Sequence, residues 1–190
     1  MGKLVSSIIM SLDGFAAGTN GEMDLFKLEQ GFFDLAATLI KEADVALYGR
    51  GTYKIMQAYW PTAGDGPNVS EHNKSHAAWY NKVHKYVLST TLKSDAANKM
   101  TVFNNNVTQE INKLKQDTKK NIQIFGSPGV VRSLTQENLI DEYWIFLAPV
   151  TIGKGIAVFK NMNAGINLKY LGNAPCGSGC IGLHYEKINK

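Results

Sequence analysis

The sequence predicts an α/β domain built on a mostly parallel central sheet, with antiparallel strands toward its C-terminal end. Three observations carry this. Short Val- and Ile-rich runs alternate with segments of helical spacing over the first 140 residues, the grammar of a sheet covered by helices. Two of the runs end at glycine and pass straight into helical spacing, as parallel βα units do. Beyond residue 140, strand-like runs follow one another across Gly-containing turns, which is antiparallel grammar.

Taken in order, Lys3 to Met10 is a short apolar run and reads as a buried strand, ending at Ser11-Leu12-Asp13-Gly14. A polar loop continues to about Met23. Glu29 to Ala43 then sets Phe32, Phe33, Ala36, Leu39 and Ile40 on one helical face. Asp44 to Tyr48 is the next strand, Gly49-Arg50-Gly51-Thr52 a turn, and Tyr53 to Tyr59 a helix. From Trp60 to about Ser75 the breakers Pro61, Gly64, Gly66 and Pro67 predict a loop. Lys85 to Ser89 and Thr101 to Phe103 are strands, Val107 to Thr118 a helix, and Asn121 to Phe125 a strand. Gly126-Ser127-Pro128-Gly129 leads into a helix from Val130 to about Asn138. Glu142 to Ala148, Ile156 to Phe159, Leu168 to Gly172 and Ile181 to Ile188 complete the strands, the antiparallel ones closing an edge. With no linker or internal repeat, residues 1–190 read as one domain.

Composition narrows the function classes. Of 190 residues, 44% are apolar and 19% charged, which specifies a globule with a full core. No apolar run approaches membrane-spanning length, and Leu4 to Met10 lacks a signal-peptide pattern, so a cytoplasmic protein is expected. The net charge of +4 suits anionic ligands, but the cations are 18 lysines and only two arginines, dispersed along the chain. A nucleic-acid reader would cluster them, so no nucleic-acid partner is expected. His72, His76, His84 and His184 have no metal-ligand spacing, and no metal is expected. Cys176 and Cys180 are not in redox spacing and read as part of a hairpin turn.

The strand ends carry the chemistry. Exposed backbone N–H groups at a helix start attract anions, and glycine lets an anion come close. Gly49-Arg50-Gly51-Thr52 offers this together with a guanidinium for bidentate phosphate contact. Ser89-Thr90-Thr91 places three hydroxyls at a strand end, and Gly126-Ser127-Pro128-Gly129 provides glycines and a first-turn proline. Each site alone is also ordinary loop chemistry; three together favour a dinucleotide.

The segments Ser11 to Phe15, Leu47 to Tyr53, Val87 to Thr90, Phe125 to Gly129, Leu139 to Tyr143 and Pro149 to Gly155, followed by Phe159, stand in an order that resembles the dihydrofolate-reductase-like family. Within it, the chain is similar to the C-terminal reductase domain of the bacterial bifunctional riboflavin-biosynthesis deaminase/reductase. The resemblance implies a three-layer α/β/α domain, a homodimer, and an oxidoreductase that uses NADPH to reduce a small heterocyclic substrate, as 5-amino-6-(5-phosphoribosylamino)uracil reductase does. It implies that Gly49, Arg50, Gly51 and Thr52 hold the adenosine phosphates, with Arg50 on the 2′-phosphate. Ser89 and Thr90 would lie near the adenosine, and Gly126, Ser127, Pro128, Gly129 and Val130 would support the pyrophosphate.

The substrate side departs from the family pattern. Ser7 stands where riboflavin-pathway reductases tend to carry lysine, and Asp34 falls about one residue from the acid that serves the pterin in dihydrofolate reductases. A pterin reductase and a nucleotide-binding module without turnover therefore stand as alternatives. Asp13 and Asp34 are the candidate catalytic acids, each with a structural reading beside it: a turn for Asp13 and a solvated helix face for Asp34. Asp141 and Glu142 read as partner-bound or solvated acids. Tyr59, Trp60, Trp79 and Tyr80 could wall a planar substrate or pack the core equally well.

Overall fold

The computed structural model describes residues 1–177 and 179–188. Ser178, inside the Cys176–Cys180 turn, and the last two positions lie outside the described residues. The elements are β1 (Leu4–Ser11), β2 (Phe15–Ala17), α1 (Gln30–Lys41), β3 (Ala43–Gly49), α2 (Arg50–Tyr59), α3 (Glu71–Lys82), β4 (His84–Leu88), β5 (Met100–Phe103), α4 (Val107–Asp117), β6 (Asn121–Phe125), α5 (Pro128–Gln136), β7 (Glu142–Ala148), β8 (Ile156–Ala157), β9 (Leu168–Pro175) and β10 (Ile181–Lys187). Eight of the strands form one sheet in the order β5-β4-β3-β6-β1-β7-β10-β9. Strands β5 through β7 in that order are parallel, while β10 pairs antiparallel with both β7 and β9.

Side-chain alternation along the strands builds the layers. On β3, Val45 and Leu47 join the core formed with Ile111 and Leu114 of α4 and with Val130, Val131 and Leu134 of α5. Ala46 and Tyr48 point the other way, into a cluster with Tyr53 of α2 and Tyr80 of α3. Further along that second face, Ile9 and Phe146 pack with Phe32, Leu35 and Leu39 of α1. The predicted α/β/α layering is therefore present.

Two expectations are corrected. The segment after Pro67 is not loop to Ser75: Ser70 accepts the Asn73 N–H (3.2 Å) and starts α3, which buries His76, Ala77 and Tyr80. Ile156 and Ala157 do not extend the main sheet but pair with β2 in a separate two-stranded ribbon. The run Tyr143 to Leu147 lies beside β1 in the sheet, with Tyr143 and Ile145 in the α4–α5 core and Phe146 against α1.

The N-terminal ends of β1 and β7 carry ion pairs. Lys115 meets Asp141 at 2.6 Å and donates to the Leu139 carbonyl (2.8 Å), while Asp141 also accepts the Leu4 N–H (2.8 Å). Glu142 pairs with Lys3 at 2.5 Å and His184 at 2.9 Å. The acidic pair is thus partner-bound and sits at the end of the sheet opposite the strand-end loops. No helix among the described residues is long and apolar enough to cross a membrane.

Candidate active site

A cavity of about 750 Å³ opens where β1, β3 and β6 end, the edge at which α/β sheets place ligands. Gly49, Gly51 and Thr52 line it from one loop and Gly126 to Val130 from another. A second cavity of about 470 Å³ is lined by Arg50, Ser89, Thr90 and Thr91, and it shares Gly129 and Val130 with the first. The three strand-end segments singled out in the sequence therefore converge on two adjoining cavities.

Local geometry explains why these residue types stand here. Gly126 (φ 53°) and Ser127 (φ 55°) are both left-handed, so the chain reverses sharply before Pro128 starts α5. Neither Gly49 nor Ser127 caps its helix with a side chain, so the first N–H groups of α2 and α5 stay available. The buried Ser127 hydroxyl instead accepts the Gly49 N–H (2.8 Å) and ties the two loops together. A Cβ on Gly49 would lie 3.0 Å from Val130 Cγ2, so any side chain here would have to push that neighbour aside. A Cβ on Gly51 or Gly129 would meet nothing within 4 Å, leaving open space over the backbone at both helix starts.

In the second cavity Arg50 Nη1 donates to Thr91 Oγ1 (3.0 Å). Ser89 Oγ accepts the Thr91 and Leu92 N–H groups (3.2 and 3.1 Å), shaping the turn rather than waiting for a ligand. Thr90 is exposed beside it. The loops thus offer a guanidinium and free N–H groups around open space, and this fits a phosphate-bearing cofactor.

Neither candidate acid lines the large cavity. Asp13 accepts from Ser11 Oγ (2.6 Å), from the Ile152 N–H (3.1 Å) and from the Gly153 N–H (2.6 Å), clamping the β1–β2 turn to the 150–153 loop. The Ser11 bond and these backbone donors hold its carboxyl below the usual range. Asp34 is on the exposed side of α1 and accepts from Gln30 Nε2 (2.7 Å).

From α1 and α3 the cavity also takes residues without a motif, Phe32, Phe33, His72 and His76, with Ser7 and Phe146 from the sheet. Trp60 and Tyr59 wall it, whereas Trp79 and Tyr80 pack in the α3 core. His76 stacks on Trp60 (3.7 Å, 4° between planes), and burial, with His72 beside it, pushes its pKa down to about 3. Burial likewise lowers His72, and Asp34 partly offsets this. The α1 spacing and the aromatic cluster pointed to the rings in sequence; the histidines lay in or beside the stretch read as loop. Ser7 donates to the Ile124 carbonyl (3.2 Å) and accepts from Gln123 (3.0 Å). Cys176 and Cys180 are buried free thiols, and burial raises both, Cys180 to about 11, the reverse of a reactive thiolate. No group of three His, Cys, Asp or Glu side chains converges among the described residues.

Residues 2–181 match the RibD C-terminal domain family. The chain belongs to that family. It is 28% identical over 191 residues to the uncharacterized protein YyaP of Bacillus subtilis strain 168, covering 97% of this chain and 94% of YyaP. A putative riboflavin biosynthesis protein from Shewanella sp. PV-4 has the same fold, with TM-score 0.73, 17% identity, and coverage of 98% of this chain and 99% of that one. Dihydrofolate reductase from Enterococcus faecalis, solved with NADP(H), superposes with TM-score 0.66 at 15% identity, over 98% of this chain and 97% of the reductase. The fold is dihydrofolate-reductase-like, and membership of the RibD C-terminal domain family supports a reductase of the riboflavin-biosynthesis type.

Proposed function

We propose that this RibD-type domain is a cytoplasmic NADPH-dependent reductase that transfers hydride to a small heterocyclic substrate held in the large cavity. The observation that carries the reading is the convergence of three strand-end segments on two cavities that share Gly129 and Val130. Arg50 would hold the 2′-phosphate, with Ser89 and Thr90 shaping the adenosine side. The N–H groups at Gly51, Thr52, Gly129 and Val130 would hold the pyrophosphate, with Gly49, Gly126, Ser127 and Pro128 setting the loops that present them. NADPH, when bound, supplies the hydride; the chain's own residues orient, enclose and exclude water. A pterin reductase is less well supported, because no carboxylate lines the cavity among the described residues. A homodimer is proposed because Tyr170, Leu171, Ile181 and Ile188 leave apolar surface exposed on and beside the outermost pair of strands.

Calorimetric titration with NADPH and NADH tests the cofactor. A charge-assisted bond of about 1.5–3 kcal/mol gives roughly a 10–100-fold preference for NADPH, which Arg50→Ala should erase. Equal affinities in the unmodified protein would remove Arg50 from this role. Steady oxidation of NADPH with a panel of pterins, pyrimidines and quinones separates a reductase from a silent nucleotide-binding module.

A further inference from the structure

We propose that the substrate end of the large cavity selects an uncharged, planar, carbonyl-bearing ring, with His76 as its polar recognition residue and His72 beside it. The inference rests on the reductase reading for what happens to the ring, but its binding chemistry stands on the cavity alone.

The first support is charge. No Lys, Arg, Asp or Glu lines the large cavity among the described residues. A phosphate or carboxylate carried into it beyond the helix starts would be desolvated with no countercharge. Ser7, on the β1 side, is neutral, and its hydroxyl is engaged with Ile124 and Gln123. The second support is shape: Phe32, Phe33, Phe146 and Trp60 present aromatic surface to the cavity, which suits a flat ring.

The third support is a pair of buried imidazoles with unmet hydrogen-bonding capacity. His76 is 5% exposed, and neither of its ring nitrogens has a partner; His72 Nδ1 is also buried and unpartnered. A neutral imidazole carries one donor and one acceptor, and leaving such groups buried and unpaired is costly. Both residues line the cavity. A carbonyl oxygen accepts from the imidazole N–H, and an adjacent ring N–H, where the ligand has one, donates to the other nitrogen. The rings around His76 shift as the ligand enters, as side chains at binding surfaces commonly do. Because His76 is neutral over the physiological range, it recognises a neutral dipole and not an anion.

The test titrates the protein, without NADPH, with three probes of similar shape. Menadione is neutral and carries two carbonyls, 2-methylnaphthalene carries none, and 1,4-naphthoquinone-2-sulfonate adds a negative charge. Menadione is expected to bind at least about tenfold more tightly than either of the others. His76→Phe keeps a ring against Trp60 but removes both nitrogens. It should cost menadione about tenfold, leave 2-methylnaphthalene unchanged, and hold or raise Tm, because an unsatisfied polar group has left the interior. In the unmodified protein, long-range proton–nitrogen spectra should show the His76 ring nitrogens moving with menadione and still with 2-methylnaphthalene. Absent menadione binding, sulfonate binding as tightly as menadione, or unmoved His76 nitrogens would each overturn the proposal. Failure of NADPH to bind while menadione still does would overturn the reductase reading alone.

Discussion

Residues whose chemistry is local were legible in the sequence, and residues whose partners are distant were not. Arg50 and the glycines around it announced themselves because a strand end, a glycine and a helix start are all written within four positions. Asp13 read as a candidate acid with a turn role beside it, but not as a clamp between two loops. Its partners Ile152 and Gly153 are 139 and 140 residues away, and nothing near Asp13 announces them. Asp13→Asn tests the assignment. The amide keeps the turn but halves the acceptor capacity toward two backbone N–H groups and Ser11, so the melting temperature should fall while NADPH oxidation stays within about threefold. A fall of 10²-fold or more in kcat with Tm intact would restore a chemical role.

At the scale of elements, strands with continuous apolar runs and helices with clear spacing were read nearly to their boundaries, because burial writes itself into hydrophobic period. The α3 helix was not. Its buried positions are a histidine, an alanine and a tyrosine within an otherwise polar run, and breakers stand just upstream, so tertiary packing rather than pattern holds it. This is why the α3 contribution to the cavity was missed, whereas the α2 and α5 starts were found. The α5 start carries its own prediction. Gly129→Ala places a methyl in open space, so the protein alone should be as stable or more stable, by up to about 1 kcal/mol through a stiffer unfolded chain. The same methyl occupies the space over which a pyrophosphate would approach. Melting curves with and without NADPH should therefore show normal or raised intrinsic stability and a smaller ligand-induced shift, corresponding to about tenfold weaker binding. An unchanged shift would mean that the cofactor does not approach this backbone.

Across the whole molecule, the sheet separates two tasks: ion pairs join its strands at one end, and open N–H groups and uncharged walls face ligands at the other. Titratable groups whose surroundings shift them set the dependence of stability on pH. On the acid side His76, held near a pKa of about 3 against an ordinary 6.5, binds its proton more readily unfolded than folded. Stability should therefore fall as pH drops below about 6.5, by at most about 1.4 kcal/mol per unit from His76 alone, with His72 and His84 adding to it. Carboxylates such as Glu142 add their loss only further down, below the ordinary 4.5. On the alkaline side Lys85 is 2% exposed, donates to the Tyr80 and Val83 carbonyls (2.8 and 3.1 Å), and is pushed down to about 8 by burial and then by Lys99. The unfolded chain holds that proton to an ordinary 10.5, so stability rises with pH from about 8, by roughly 1 kcal/mol at pH 9. From about pH 9 the raised thiols of Cys176 and Cys180 act against it, because unfolding frees them to ionise. Urea denaturation at half-unit steps from pH 5 to 9 should thus show an acid limb that shrinks in His76→Phe and a rise between pH 7.5 and 8.5 that disappears in Lys85→Met. A flat curve over both windows in the unmodified protein would mean that these buried groups do not keep the protonation states their surroundings impose.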